Sequence, residues 1–305
     1  MASESSTKNH GGFAYLAGIG VTHSIAPPMH NYIAKALNCN WQFLAQECPT
    51  VQDAIDLFRK PSFAGAVITM PYKRTIMDHL DGLDDYAVKL GACNNIYQDG
   101  NGLLRGTNTD WRGIQGCLLG ASVEGKGKPA VIIGAGGASR AALYALHERL
   151  HCNPIYVANR DVEEVSAFIQ EAKEGYNDAL EVVHIQREEQ VHGLPAPYYI
   201  VGTVPDAEPS TPEELEVQQI LNAFLSIERE PGVLLDMCFK PRRTRMLKKG
   251  EGKGWKTVEG TEIIGHQIQE QYRRWCGEEQ SKNLPVHEAW SVLRRAAEES
   301  PAINF

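Results

Sequence analysis

Three short stretches of this chain carry residue types that can move a proton or hydrogen-bond a reacting hydroxyl. Pro71-Tyr72-Lys73 follows the apolar run 64–70, so a lysine stands just past a strand that reads as buried. Sheets of parallel strands bind ligands at the C-terminal ends of those strands. An amine held there can give a proton to, or take one from, a reacting hydroxyl. The ordinary alternative is a solvated surface lysine. Gly106-Thr107-Asn108-Thr109-Asp110 closes one strand and opens a helix. Asp110 reads either as a helix N-cap or as the carboxylate that orients Lys73 and binds the same hydroxyl. Asn94, within Gly91-Ala92-Cys93-Asn94-Asn95, is a third polar group at an element boundary.

A different chemistry is written at residues 130–143. The apolar strand Ala130-Val131-Ile132-Ile133 runs into Gly134-Ala135-Gly136-Gly137-Ala138-Ser139-Arg140, and a helix of small residues follows. Strand, Gly-x-Gly-Gly, helix is the order a dinucleotide site requires. The first glycine makes the tight turn, the second lets the backbone approach a pyrophosphate, and the helix N-terminus presents free N–H groups. A second strand ends in Asn159-Arg160-Asp161, at about the spacing of roughly 20 residues where such folds meet the ribose. Asn159 stands where an NAD site carries an acid. Arg160 can stack on adenine or meet a 2′-phosphate, whereas Asp161, Glu163 and Glu164 set negative charge beside it. The balance leans to NAD over NADP without excluding either.

These groups need elements to position them. Residues 13–21, 41–46 and 64–70 read as strands, separated by helices from Pro28 and from residue 51. The first helix shows Met29, Tyr32, Ile33, Ala36 and Leu37 at helical spacing. Strand and helix alternating twice imply a parallel sheet. Residues 94–108 read as a hairpin with a turn-rich tip, 111–119 as a helix, and 120–128 as a linker or surface loop. The βα pattern then restarts, with strands at 130–133, 155–158, 180–185, 198–202 and 233–237. The stretch 248–256, Trp255 included, reads as a basic, solvated loop. Amphipathic helices at 263–275 and 287–297 close the chain. The expected fold class is therefore α/β: an N-terminal α/β substrate domain over residues 11–115, completed by helices in 265–305, and a doubly wound Rossmann-type domain over 116–264.

The bulk numbers agree with two soluble domains: 305 residues, 43% hydrophobic and 22% charged. A net charge of −8 argues against nucleic acid as a partner. No apolar run reaches the roughly 18–20 residues of a membrane span. Residues 1–10 read as a polar, disordered tail rather than a signal peptide. The seven cysteines are dispersed, without Cys-x-x-Cys, which suits reduced thiols and a cytoplasmic protein. His10, His23, His30, His266 and His287 show no metal-ligand spacing, so no metal is expected.

In order, the chain reads His23-Ser24-x-x-Pro27-x-x-His30-Asn31, Thr69-x-Pro71-Tyr72-Lys73, Gly91-Ala92-x-Asn94 and Gly106-x-Asn108-Thr109-Asp110. Gly134-x-Gly136-Gly137-Ala138-x-Arg140, Asn159-Arg160, Asp236-x-x-Phe239-x-Pro241-x-x-Thr244 and Gln267 ahead of Trp275-x-Gly277 follow. From about residue 14 to 298 that series resembles the shikimate/quinate dehydrogenase family, and it looks most like the fungal branch. The resemblance implies a two-domain enzyme with its substrate in the cleft between the domains. It makes Lys73 and Asp110 the catalytic pair, with Asn94 supporting the reacting hydroxyl. Ser24, Thr69, Thr109, Gln267 and the Phe239 position would meet the substrate, and the helix bearing Gln267 would return to pack on the N-terminal domain. Gly134, Ala135, Gly136, Gly137, Ala138, Asn159, Arg160, Asp161 and Thr203 would hold NAD or NADP.

Three pocket positions depart from the family. Its Ser-x-Ser pair, which binds the ring carboxylate, reads Ser24-Ile25-Ala26 here; the Tyr of Asp-x-x-Tyr-x-Pro is Phe239; the Asn two residues before Thr69 is Val67. Each lost bond to a charged group is worth about 1.5–3 kcal/mol, so either neighbours such as Thr22, His23 or Tyr72 compensate or the ring substrate differs. The expected function is an NAD(P)-dependent oxidoreductase interconverting a ring hydroxyl and ketone on a quinate/shikimate-type acid, as a monomer or homodimer. The alternative is a non-catalytic sensor on the same fold. The retained Lys73, Asp110 and glycine turn favour the enzyme, because a sensor needs no proton-transfer pair.

Overall fold

The computed structural model describes residues 12–176, 180–227 and 230–305; the expected N-terminal tail, with His10, lies outside them. The chain divides into two compact units, one of residues up to Asp84, Cys93–Thr107 and Gln269–Leu293, the other of Asp85–Ala92, Asn108–Ile268 and Arg294–Phe305.

The first unit is built on a six-stranded mixed sheet. Its strands are β1 (Gly12–Gly18), β2 (Trp41–Glu47), β3 (Phe63–Ile68), β4 (Gly82–Leu83), β5 (Asn95–Gln98) and β6 (Leu104–Thr107), in the order β2-β1-β3-β5-β6-β4. The first three strands are parallel, as the alternation with α1 (Ala26–Ala36) and α2 (Val51–Phe58) requires, whereas β5 and β6 form the antiparallel hairpin expected at 94–108. Thr50 and Asp53 start α2 with a capping box.

The buried face of α1 is Met29, His30, Ile33 and Ala34, with Leu37 beyond it; Tyr32 and Ala36 face solvent. The expected apolar stripe is therefore corrected by part of a turn. His30 enters the core because aromatic rings receive it: it stacks on Phe43 at 4.1 Å between centroids and neighbours Tyr272 and Trp275 at 5.8 and 5.6 Å. Asn31 next to it exchanges two hydrogen bonds with the backbone of Phe43, donating to its carbonyl at 3.1 Å and accepting from its N–H at 2.8 Å. Trp275 lies on the sheet over Gly65, where a Cβ would stand 2.5 Å from the indole.

The second unit carries a six-stranded, all-parallel sheet of β7 (Ala130–Ile133), β8 (Ile155–Ala158), β9 (Val182–His184), β10 (Tyr199–Gly202), β11 (Val233–Asp236) and β12 (Lys256–Glu259). The order β12-β11-β10-β7-β8-β9 is that of a doubly wound nucleotide fold, reversing between β7 and β10. Its helices are α3 (Asp85–Leu90), α4 (Asp110–Ala121), α5 (Gly137–Tyr144, continued by one wider turn, Ala145–Arg149), α6 (Val162–Gly175), α7 (Pro212–Leu225) and α8 (Arg245–Gly252). Helix α9 (Thr261–Cys276) is shared between the units at 268/269. It is followed by α10 (Glu278–Ser281) and α11 (Val286–Glu299). Apolar residues cover both faces of this sheet: Ile132, Val157, Leu143 and Phe168 on one, Val131, Tyr156, Ile200 and Phe224 on the other.

Two expectations need correction here. Residues 248–256 are not a solvated loop: they belong to α8 and lead into the edge strand β12. Trp255 is buried and donates its indole N–H to the Leu225 carbonyl at 3.2 Å. The boundary at 115/116 falls inside α4, a continuous helix, so the division comes at 107/108, ahead of that helix, and α3 joins the second unit as well.

Candidate active site

In the first unit, the loops after β1 and β3 carry the proposed substrate groups. The loop after β1 is pinned by Glu47 at the end of β2. Its carboxylate accepts the backbone N–H groups of Gly20, Val21 and Thr22 at 2.7, 2.6 and 3.3 Å, and the Gly20 bond in particular holds the carboxyl below its ordinary range. Ser24 follows, its Oγ accepting the Ala26 N–H at 3.2 Å. Ala26 is the first residue of α1 and is buried.

The loop after β3 begins with Thr69, whose backbone bonds Ala17 at 3.1 Å, and turns back so that Tyr72 N–H meets the Thr69 carbonyl at 3.0 Å. Tyr72 anchors it by donating from its hydroxyl to the Cys48 carbonyl at 2.8 Å. The Lys73 carbonyl accepts the Cys93 N–H at 2.7 Å, which sets Lys73 beside the turn that bears Asn94. Asn94 is buried, its backbone joined to Ile68 and Thr107. Ile68, Thr69, Lys73 and Asn94 are thus one constellation at the C-terminal end of β3. Val67 lies one strand residue earlier, paired with Asn95.

The second unit opens on the other carboxylate. Asn108 donates to the Ala92 carbonyl at 2.9 Å, and its Oδ1 accepts the Asp110 N–H at 2.9 Å. The cap position of α4 is therefore Thr109, and Asp110 is the first helical residue rather than the cap. Gln267 on α9 joins the pair: its amide N–H reaches Asp110 Oδ1 at 3.2 Å and its oxygen accepts from Thr109 Oγ1 at 3.1 Å. All three side chains are buried. Phe239 lies half-buried in the loop after β11. That loop is organised by Asp236, which accepts from Thr244 Oγ1 at 2.6 Å and from the Cys238 N–H at 3.1 Å. Burial pushes the Asp236 carboxyl up to about 6.

The glycine turn sits at the reversal of the second sheet. Gly134 has φ 117°, and a Cβ there would strike Thr203 Oγ1. Thr203, the first residue past β10, spans the gap: its hydroxyl donates to the Ile133 carbonyl at 2.8 Å and accepts from Ser139 Oγ at 2.7 Å. Arg140, buried, donates to the Ala135 carbonyl at 2.9 Å and to Glu171 on α6 at 2.6 Å, tying the turn to that helix. Gly136 precedes α5 without any side-chain cap, and only Glu164 Oε1, at 3.8 Å, stands near where its Cβ would be. Open space over the turn and an uncapped helix N-terminus fit a pyrophosphate.

Past β8 the side chains are already paired. Asn159 donates to Glu164 Oε2 at 2.7 Å. Arg160 forms an ion pair with Glu214 at the start of α7. Asp161 is the N-cap of α6, one carboxylate oxygen accepting the Glu164 N–H at 2.9 Å. Glu171 and Glu214 were not singled out from the sequence as parts of this region. For Glu214 the signal was present as Thr211-Pro212-Glu213-Glu214, a capping box with proline at the first helical position. Among the described residues no group of three His, Cys, Asp or Glu could hold a metal ion, and no helix is long and apolar enough to cross a membrane.

Residues 16–96 match the family described as the shikimate dehydrogenase substrate binding domain. Over 291 residues the chain is 35% identical to the quinate dehydrogenase of Emericella nidulans, covering 88% of each. It is 33% identical over 276 residues to the pentafunctional AROM polypeptide of Schizosaccharomyces japonicus, a match that spans 86% of this chain and 17% of that polypeptide. The crystal structure of shikimate 5-dehydrogenase from Thermus thermophilus, in complex with NADP(H) and shikimate, matches with a TM-score of 0.72 at 27% identity, covering 93% of this chain and 99% of that one.

Proposed function

The chain belongs to the shikimate/quinate dehydrogenase family, and on that premise we propose that it oxidises a ring hydroxyl, or reduces the matching ketone, on a quinate- or shikimate-type carbocyclic acid. The observation that carries the proposal is the likeness to a quinate dehydrogenase over 88% of both chains. The residues able to perform the chemistry, Lys73, Asn94 and Asp110, are present in this sequence.

A nicotinamide dinucleotide, when bound, supplies the acceptor or donor of the hydride. The chain's own contribution begins at the glycine turn, where the first N–H groups of α5 receive the pyrophosphate while Arg140 and Thr203 keep the turn in shape. Asp110 accepts a hydrogen bond from the reacting hydroxyl, and Gln267 and Thr109 hold that carboxylate in one orientation. Lys73 removes the hydroxyl proton as the alcohol becomes a ketone and returns it in the reverse direction. Asn94 supports the same oxygen. Ser24 and Thr69 bind the ring substituents, on loops fixed by Glu47 and Tyr72.

NAD serves at least as well as NADP in this reading, because carboxylates surround the only basic side chain of the sequence Asn159-Arg160-Asp161. The ring acid itself is left to assay by Ala26, Val67 and Phe239, which remove two hydroxyls and an amide from the family's pocket. A spectrophotometric scan of quinate, shikimate and related ring acids with each cofactor identifies it.

Lys73→Ala tests the mechanism. Turnover should fall by about 100-fold or more, the scale of lost general acid–base catalysis, while the NAD+ dissociation constant is unchanged. Near-normal turnover at saturating substrate would remove Lys73 from the catalytic role.

A further inference from the structure

The end of β8 holds the chain's candidate for recognising a 2′-phosphate, Arg160, and the structure shows what has claimed it. Its guanidinium is ion-paired with Glu214, 54 residues further on. The two partners are unequal. The Arg160 side chain is 67% exposed, that of Glu214 only 19%. The Glu214 carboxylate is fixed by its work at the start of α7, accepting Ser210 N–H at 2.9 Å, Ser210 Oγ at 3.1 Å and Thr211 N–H at 3.3 Å. These bonds, led by the Ser210 N–H, together with the Arg160 contact hold its carboxyl down at about 2, so it stays charged throughout the working pH range. The acid is the anchor and the arginine is the arm that reaches it.

The surroundings reinforce the pairing. Arg160 lines a shallow hollow with Asp161, Val162, Glu163, Thr211 and Glu213, between the starts of α6 and α7. Apart from Arg160, every charged residue on that wall is an acid. A 2′-phosphate brings close to two negative charges there, needs an unpaired guanidinium to receive it, and meets a fixed carboxylate instead.

We propose that Glu214 is a specificity-determining residue that acts through Arg160: by occupying the guanidinium it disfavours the 2′-phosphorylated dinucleotide and leaves NAD as the preferred cofactor. The proposal rests on the reading of the glycine turn as a dinucleotide site. It adds a residue from a helix far along the chain, which the Asn159-Arg160-Asp161 sequence does not reveal.

Glu214→Gln is the informative variant, because the glutamine oxygen still accepts the Ser210 and Thr211 N–H groups and keeps the helix start while removing the charge. Calorimetric titration gives dissociation constants for NAD+, NADP+, adenosine 5′-monophosphate and adenosine 2′,5′-bisphosphate on wild type, Glu214→Gln, Arg160→Ala and the double variant, with thermal melting as the check on folding. The expected result is about tenfold tighter binding of NADP+ and of the bisphosphate to Glu214→Gln, a scale set by one charge-assisted contact released from an exposed ion pair. NAD+ should move by less than about twofold on the same grounds. Arg160→Ala should matter little alone and should cancel the gain in the double variant. An unchanged NADP+ to NAD+ ratio in Glu214→Gln, or a wild type that prefers NADP+ and loses that preference in Arg160→Ala, overturns the proposal. Absence of NAD+ binding to folded wild type overturns the dinucleotide site itself, and the proposal with it.

Discussion

Acid should unfold this protein partly through one histidine, and the effect can be sized. His30 is fully buried in the first unit, among Phe43, Tyr272 and Trp275, and burial lowers its pKa to about 3. Its Nδ1 lies 3.4 Å from the Tyr272 hydroxyl, which itself donates to the His30 carbonyl at 3.0 Å, so the ring has no acid to stabilise a positive charge in these contacts. In the unfolded chain the imidazole takes its proton near 6.5; in the folded state it does so only near 3. A depressed folded-state value means stability that is complete above about pH 6.5 and is lost as the pH falls toward 3. The linkage gives a loss of roughly 1–2 kcal/mol at pH 5.5 and roughly 2–3 kcal/mol at pH 4.5, against a limit of about 5 kcal/mol below pH 3. His30→Phe keeps a flat ring against Phe43 and the backbone bond from Tyr272, but does not titrate. The measurement is urea unfolding followed by tryptophan fluorescence, on wild type and variant, at pH 7.5, 5.5 and 4.5. Wild type should lose about 2–3 kcal/mol more than His30→Phe between the two extremes. His30→Leu is the companion if the larger ring overpacks the site. Equal losses in wild type and in a folded variant would refute the claim that this buried imidazole stays neutral in the native state.

Gly134→Ala should cost about 1–3 kcal/mol from the φ of 117° alone, and more from the clash with Thr203. It should also weaken NAD+ binding, read as a lower melting temperature together with a raised dissociation constant. A variant with unchanged melting and affinity would show that the turn is not strained. Ala26→Ser restores a hydroxyl at the first position of α1, next to the Ser24 bond. It should lower KM for a ring carboxylate by roughly tenfold, the lower end of a bond to a charged group, and a KM unchanged or raised with the fold intact would take Ala26 out of the carboxylate pocket.

The fold was legible where local rules and tertiary packing agree. Buried parallel strands such as Ala130–Ile133 are continuous apolar runs, and Gly134 with its helix of small residues announces the turn that follows. It was less legible where packing overrides composition. Lys256–Glu259 is a strand because β11 offers it an edge, a partner no charge-rich local sequence reveals. His30 is in the core because three aromatic rings surround it, whereas Tyr32, more apolar by composition, points outward. Helix α7 carried a readable start at Thr211-Pro212 and a helical run behind it, so its omission was a missed local signal rather than a hidden one.

The site divides along a similar line. A motif shows which residue types stand together, but it does not show which donors and acceptors are already spent. Asn31 uses both ends of its amide on the Phe43 backbone, Arg140 spends its guanidinium on Ala135 and Glu171, and Asn108 ties Ala92 to the start of α4. Each belongs to the same run of family-like residues as Lys73 and Asp110, yet in these contacts each builds the scaffold that such groups stand on. Arg160 is the sharpest case. From sequence it is a cation beside a nucleotide turn; in three dimensions its charge is committed to Glu214, whose own carboxylate is committed to capping a helix. Whether a charged residue can read a ligand depends on what it would have to give up, and that cost is set here by an element 54 residues away.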